Sequence, residues 1–322
     1  MTPLALVTGT AGVLLLMAVA GPVLVRRAAP ALVRSPRLGT ALLLGGVVAW
    51  IAALLALGPL LAWSTSAPTV LRGAPAEVCR QCLAASNPFT GTALDSSVPA
   101  ALLLAVPATL ALTLLAGTAL TLVRHRATGR RDAAALGLDG VSEAVLGHRV
   151  TVLEHPVPTA FALPPGAGGI AVSTGALAVL DEAELRAVLA HEQAHLDQRH
   201  HLVTALLSAA SAMLGWVPLV AAVTTAVPHY LEVAADDQAR RRAGRTALVG
   251  ALVKLSQPAA PAVGTALRMA GPGRIHHLVA PVHGPAGTFW VSVIAALVLV
   301  LTAASAAVHL PYTLAALTGC SL

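Results

Sequence analysis

The sequence predicts a mainly α-helical integral membrane protein that carries a small α+β domain. Two features of the composition favour this class. Of the 322 residues, 57% are hydrophobic and only 11% are charged, whereas a soluble domain has about 25% charged residues. A third observation is the presence of a single region, 124–200, that is more polar than the apolar stretches on either side of it. This composition excludes an intrinsically disordered chain and makes a purely soluble protein unexpected.

Four stretches have the roughly 20 mainly apolar residues that a membrane-spanning helix requires. They are 4–25, 38–63, 98–123 and 289–310. The first stretch lacks a basic region before its apolar core and is followed by Arg26 and Arg27, so we interpret it as a retained span. Residues 1–123 are therefore predicted to form three membrane helices with an external loop at 64–97.

Arginine is concentrated after the first and the third of these spans. The residues are Arg26, Arg27, Arg34 and Arg37 in one segment, and Arg124, Arg126, Arg130 and Arg131 in the other. Because basic segments stay inside the cell, the N-terminus is predicted to lie outside and the segment after residue 123 in the cytoplasm. The net charge of +6 is thus explained by membrane orientation and lipid contact, and direct nucleic-acid binding is not expected.

The predicted external loop contains two of the three cysteines, Cys79 and Cys82. A disulfide between them is one interpretation, because disulfides persist outside the cell. The alternatives are half of a metal site and two unpaired thiols. A zinc site would need two more ligands, and the loop contains no histidine.

Residues 124–245 are predicted to form a cytoplasmic α+β domain. Helices are expected near 132–138 and 142–146, and alternating patterns at 148–154 and 169–173 predict strands. A helix is predicted to begin at Asp181, because acidic residues favour the positive end of the helix dipole. After the domain, 246–288 is expected to be a juxtamembrane linker, and 289–322 the last span with a short external tail.

A fifth apolar run, 202–228, has Gly215 and Pro218 in its middle, and this pair is typical of a turn. A hairpin that dips into the membrane would keep both flanks in the cytoplasm. The alternative is one straight span, which would carry the following segment outside.

The strongest signal in the sequence is His191-Glu192-Gln-Ala-His195. Residues four apart on a helix share one face, so both imidazoles can bind one metal ion. Glu192 would then reach a water on the metal rather than the metal itself, and act as general base. The alternative is a helix with two solvated histidines and a glutamate. His200 and His201 follow the motif and are interpreted as a solvated helix end, although substrate or oxyanion binding is a second interpretation.

A second pair of residues, Glu232 and Asp236, also lies four apart. Glu232 is predicted to be the third zinc ligand, and Asp236 to accept a hydrogen bond from a ligand imidazole. The alternative is two ordinary surface acids. The hairpin brings the two pairs together, but its arms differ by about two helical turns. A break at Pro228 or a tilt would absorb this difference.

The stretch 184–244 resembles integral-membrane zinc peptidases of the gluzincin type, which carry HExxH followed by ExxxD. The three preceding spans, Arg199 and Trp216-Val-Pro218 look more like the BlaR/MecR type than like the related HtpX and CAAX-processing peptidases. The resemblance implies a sheet before the motif whose edge pairs with an extended peptide. Its substrate-binding residues would be Ala160, Phe161, Ile170 and Ala171. A plain hairpin packed on the motif helix is the alternative.

The resemblance implies a zinc endopeptidase that cleaves a cytoplasmic protein, such as a transcriptional repressor of the BlaI type in a signalling pathway. The alternatives are an HtpX-like quality-control or processing protease and a non-catalytic membrane receptor. About a dozen residues follow the last span, and they contain no Ser-x-x-Lys motif. A penicillin-binding sensor domain is therefore not expected, and direct β-lactam sensing is doubtful.

Overall fold

The structure, a computed structural model, describes residues 3–66, 81–84, 86–89, 94–95, 97–135, 142–163, 169–256 and 284–318. Its long apolar helices are α1 (Pro3–Arg34), α2 (Pro36–Ser64), α3 (Ala100–Ala135) and α9 (Thr288–Leu317). Each is long and apolar enough to cross a membrane, which confirms the four predicted spans within the described part of the chain. The predicted domain boundary at residue 123 lies inside α3, which continues without a break to Ala135.

The long helices pack around α2, which contacts α1, α3 and α9. Helices α2 and α3 approach so closely at Gly58 that a Cβ atom there would lie 2.2 Å from the carbonyl oxygen of Leu103. Only glycine permits this approach. At the end of the bundle that contains the α1–α2 turn, Arg34 donates hydrogen bonds to the carbonyls of Gly284 and Ala286, just before α9.

The opposite end of the bundle is aromatic. Trp63, at the end of α2, stacks on Tyr312 of α9 with ring centroids 4.8 Å apart, and its indole N–H donates to Ser86. Beside it, β1 (Thr65–Ser66) pairs in parallel with β2 (Leu94–Asp95). The arginine-rich turn, formed by Arg34 and Arg37 on either side of the α1–α2 junction, and the aromatic cluster therefore mark two different ends of the same helices.

In chain order, a four-stranded sheet follows α3 and precedes the remaining helices of the domain. Its strands are β3 (Ser142–Val145), β4 (His148–Leu153), β5 (Ala160–Ala162) and β6 (Ile170–Ser173), in the order β3-β4-β6-β5. Strands β4 and β6 confirm the two predicted strands. The prediction of a helix at 142–146 is wrong, because Leu146 and Gly147 both have positive φ angles. These two residues form the tight hairpin turn that pairs β3 with β4.

After the short helix α4 (Thr174–Val179) comes α5 (Glu182–Asp197), which begins where the acidic residues predict. The Asp181 side chain accepts a hydrogen bond from the Glu184 amide, and the Glu184 carboxylate accepts one from the Asp181 amide. This capping box satisfies amides that have no partner within the helix. Glu184 also accepts a 2.5 Å hydrogen bond from Lys254.

The predicted hairpin is present as α6 (His200–Leu214) and α7 (Pro218–Ala243), with its turn at 215–217. The difference in arm length is absorbed at Arg199, where a left-handed residue (φ 53°) ends α5 and starts α6. Pro228 does not break the helix, since α7 continues through it. The 15 residues of α6 rise about 22 Å, close to the roughly 21 Å from Pro218 to Glu232.

The last helix of the domain is α8 (Arg245–Leu255), which occupies the beginning of the predicted linker. Its Leu248 and Leu252 are buried against Ala187 and Ala190 of α5 and Ala239 of α7. Residues 246–255 are therefore part of the packed domain and not a linker. The rest of the predicted linker, up to residue 283, lies outside the described residues.

Candidate metal centre

The site is built where α5 and α7 pack against each other. Small residues line this contact, and the side chains of Ala187, Ala190, Ala194, Ala235 and Ala239 are at most 2% exposed. Small side chains let two helix backbones approach closely, so that longer side chains next to them can meet across the gap. Those longer side chains are the two histidines of α5 and the two acids of α7.

The structure brings the three predicted metal ligands together. Nε2 of His191 lies 3.6 Å from Oε2 of Glu232, and Nε2 of His195 lies 3.6 Å from Oε1 of the same carboxylate. The two Nε2 atoms are 3.1 Å apart. One ligand atom from each residue falls within a group less than 4.8 Å across. The two ligands from one helix and the ligand from the other therefore point at one position.

Zinc fits this donor set. Two imidazole nitrogens and one carboxylate are the three protein ligands of many catalytic zinc sites, which keep a fourth position open. The side chain of His191 is 3% exposed, whereas those of His195 and Glu232 are 20% and 21% exposed. The group is thus more buried on the side of His191 than on the side of His195 and Glu232.

Asp236 lies where the sequence predicts an acceptor for a ligand imidazole. Its Oδ1 is 3.0 Å from Nδ1 of His191, and both side chains are buried. Burial acts to lower the pKa of His191, but hydrogen bonds to Asp236 and Glu232 outweigh it and raise that pKa to about 10. The carboxylates thus make the position between the imidazoles strongly attractive to a cation.

Glu192 is adjacent to His191 on α5 and only 4% exposed. Successive residues lie about 100° apart around a helix, so its carboxylate projects beside the ligand rather than with it. Its negative charge contributes to raising the pKa of His191. A carboxylate in this position can exchange a proton with a group held at the metal position.

His200 does not lie at a solvated helix end, so that interpretation is wrong. It is 5% exposed, and its Nδ1 lies 2.8 Å from Nδ1 of His195. Burial and the nearby His195 lower the pKa of His200 to about 3. In an unbroken helix His200 would lie about 140° around from His195. The left-handed Arg199 brings the two rings together, and no sequence spacing rule reveals this.

Among the described residues, the sheet ends at strand β5, on the side that packs on the helix of the two histidines. Strand β5 is an edge strand and packs on α5. Thr159, Phe161 and Leu163 pair with β6, so the alternation of an antiparallel ladder directs the backbone groups of Ala160 and Ala162 outward. Ile170 and Ala171 lie on the interior strand β6. A peptide added to this sheet would therefore pair with β5 and not with Ile170 or Ala171.

Of the two cysteines in the loop that the sequence predicts to be external, the structure describes only Cys82. It is disulfide-bonded, and Cys79 lies outside the described residues.

Comparison with known proteins supports a peptidase. The sequence profile of Peptidase family M48 matches residues 126–263, a segment that contains every side chain of the site. A "Protease HtpX homolog" from Acidiphilium cryptum is 46% identical over 71 residues, which is 20% of this chain and 25% of the relative. A second, from Aquifex aeolicus, is 37% identical over 65 residues, 20% of this chain and 22% of the relative. No solved structure matches the chain.

The matched segments span about a quarter of the length of these relatives. Together with the four apolar helices, they support a multi-pass membrane protein with a metallopeptidase-type enzyme domain. M48 peptidases are zinc metalloproteases, which agrees with the donor set. The relatives are HtpX homologs, and the BlaR/MecR type expected from the sequence is not confirmed.

Proposed function

We propose that this chain is a membrane-embedded zinc endopeptidase that cleaves a protein substrate at the cytoplasmic face of the membrane. The observation that carries the proposal is the convergence of His191, His195 and Glu232 on one position. The side chains come from α5 and from the second arm of the hairpin, α7, so chance placement of surface acids does not account for it. The similarity of 126–263 to M48 peptidases supports the same chemistry.

Zinc held by His191, His195 and Glu232 would act as a Lewis acid and lower the pKa of a water ligand to about 7. Glu192 accepts a proton as water adds to the scissile carbonyl carbon, and then donates a proton to the amine that leaves. Oδ1 of Asp236, 3.0 Å from Nδ1 of His191, would accept the hydrogen on that nitrogen and leave Nε2 of the ring for the metal.

The free edge of β5 supports an extended peptide as substrate. Peptides that add to a sheet edge gain main-chain hydrogen bonds with little regard for sequence. The outward backbone groups of Ala160 and Ala162 offer such bonds next to α5. The side chains on either side of the edge would then select among sequences, so a protein segment that is locally unfolded fits this site best.

The charge distribution supports a cytoplasmic site. Arg37, in the first turn of α2, donates hydrogen bonds to Gln198 and Gln238 beside the metal centre. The site therefore lies at the arginine-rich end of the bundle, the end that basic residues keep inside the cell. Helices α6 and α7 pack on α1, α2 and α3, and Trp216 at their turn is 81% exposed. Both features support a hairpin that dips into the bilayer.

The relatives favour an HtpX-like processing or quality-control role. A comparison of cut proteins in cells with the parent chain and with Glu192→Gln would test this role. We expect truncated membrane proteins to accumulate only with the parent chain, and Glu192→Gln to retain zinc. A single cut cytoplasmic repressor would instead support a signalling role. Identical cleavage patterns in both strains would overturn the proposed endopeptidase.

A further inference from the structure

A chain of hydrogen bonds runs from a membrane helix to a metal ligand. Arg37, in the first turn of α2, donates from Nε to Oε1 of Gln198 at 3.1 Å. The same Oε1 lies 3.3 Å from Nε2 of His200. Nδ1 of His200 lies 2.8 Å from Nδ1 of His195. The chain therefore ends at the ring nitrogen of His195 that does not face the metal position.

Arg37 sets the direction of the hydrogen bonds made by Gln198. A guanidinium only donates, so the Gln198 atom that faces it is the carbonyl oxygen. The amide nitrogen of Gln198 is used elsewhere, because it donates to Gln238 at 3.1 Å. Oε1 of Gln198 must then accept from Nε2 of His200.

The remaining proton positions follow from this direction. His200 is buried between His195 and Gln198, away from the water that would solvate a charged ring. A neutral His200 that carries its hydrogen on Nε2 has a lone pair on Nδ1. It can only accept there, so His195 must carry its hydrogen on Nδ1. The lone pair of His195 is then on Nε2, which faces His191 and Glu232.

We propose that His200 is a positioning residue that fixes the tautomer and ring orientation of His195 for zinc binding. Arg37 acts through Gln198, whose carbonyl oxygen it holds in place to accept a hydrogen bond from His200. This inference rests on the proposed zinc site. Asp236 has the same relation to His191, but it is a carboxylate. The two ligand histidines are thus oriented by different acceptors, and the neutral His200 orients its partner without adding negative charge to the site.

A matched pair of substitutions separates positioning from packing. His200→Asn places a carbonyl oxygen near the former Nδ1 and retains the acceptor, whereas His200→Leu has nearly the same shape and no acceptor. Loss of a hydrogen-bonding partner of a metal ligand lowers metal affinity by about 10- to 100-fold. We expect His200→Leu to weaken zinc binding by this factor, and His200→Asn to restore it to within about threefold.

Zinc affinity is measured on the full chain in detergent micelles by competition with a chromogenic chelator, and thermal stability of the zinc-free protein is measured in parallel. His201→Leu changes the neighbouring residue, which is not part of this series of hydrogen bonds. It is the control and should bind zinc like the parent. Equal affinity in His200→Asn and His200→Leu, whether normal or reduced, would overturn the positioning role. Failure of the parent chain itself to bind zinc would instead overturn the proposed function.

The contribution of Arg37 is tested by a double-mutant cycle. Arg37→Met should weaken zinc binding in the parent chain, because Gln198 loses the donor that fixes its orientation. Arg37→Met should have little further effect in His200→Leu, because that variant has already lost the hydrogen bonds that join Arg37 to His195. Additive losses in the double variant would show that Arg37 does not act through His200.

Discussion

Nδ1 of His191 lies 3.0 Å from Oδ1 of Asp236, and the two side chains are 3% and 2% exposed. The two residues come from different helices, α5 and α7. A buried carboxylate that accepts from the outer nitrogen of a ligand histidine fixes the orientation of that ring and increases its basicity. The contact therefore links the packing of two helices to the affinity of the metal centre.

Replacement of Asp236 should weaken zinc binding without removing a ligand. We expect Asp236→Leu to raise the zinc dissociation constant by about 10- to 100-fold. Asp236→Asn should have a smaller effect, because the amide oxygen still accepts. Asp237→Asn is the control, since Asp237 pairs with Arg240 at 3.4 Å and not with the site. An unchanged zinc affinity in Asp236→Leu, measured by chelator competition, would show that the contact does not support the metal.

Zinc binding should release a proton. Despite the opposing effect of burial, the contacts with Asp236 and Glu232 raise the pKa of zinc-free His191 to about 10, so this ring is protonated at pH 7. We expect zinc affinity to rise about tenfold per pH unit between pH 7 and 9, because one proton competes with the metal at this ring. Calorimetric titrations in buffers of different ionisation enthalpy would count the proton. An affinity that does not change over this range would contradict the prediction.

The stability of the zinc-free protein should change in the opposite direction. Since the pKa of His191 is about 10 in the folded state and about 6.5 in an unfolded chain, the charged pair stabilises the fold fully below about pH 6.5. This stabilisation is lost as the pH rises towards 10. Thermal melting of zinc-free protein at several pH values should show it, and Asp236→Leu should flatten the dependence. A melting temperature that rises over this range would oppose it.

The left-handed conformation of Arg199 should make this position tolerant of glycine. A non-glycine residue in this region costs about 1 kcal/mol or more, and a β-branched residue costs most. We expect thermal stability to rank Arg199→Gly at or above the parent and Arg199→Val below it. Arg241, exposed in the last turn of α7, is the control. There glycine should be destabilising by about 1 kcal/mol. The same ranking at both positions would contradict the role of Arg199 as the break between α5 and α6.

The outward backbone of β5 should be needed for cleavage but not for folding. Ala162→Pro removes an amide that faces the open edge, a position where edge strands accept proline. We expect cleavage of a protein substrate to fall at least about tenfold, with zinc affinity and melting temperature preserved. Phe161→Pro is the matched variant, and it should instead lower the melting temperature, because the Phe161 amide faces β6. Full activity in Ala162→Pro would exclude peptide addition at this edge.

Much of the fold could be predicted from the sequence, because long apolar runs and helix starts are local signals. The four spans, the strands β4 and β6, the start of α5 at Asp181 and the hairpin turn at 215–217 all agree with the structure. The strand at Ser142–Val145 could not be predicted in this way, because Glu143-Ala-Val favours a helix as an isolated segment. Pairing with β4 through the Leu146-Gly147 turn outweighs that preference.

The metal centre also has features that could be predicted from the sequence and features that could not. The spacing of four residues within each pair, His191 with His195 and Glu232 with Asp236, follows from helix geometry and could be read from the chain. The contact of His200 with His195, and the hydrogen bonds from Arg37, could not be read in this way. They depend on one left-handed residue and on the docking of α2 against α7, which no local pattern encodes.

Local sequence patterns are enough to identify the helices that are apolar enough to enter a membrane and the side chains that are able to bind a metal ion. The meeting of the paired imidazoles with the distant carboxylate, and the groups that orient them, became known only from the packing of the helices. Helical periodicity acts over a few residues, whereas these contacts join residues separated by about forty to more than a hundred and fifty positions. Such contacts form only when packing of whole helices compensates the loss of chain entropy.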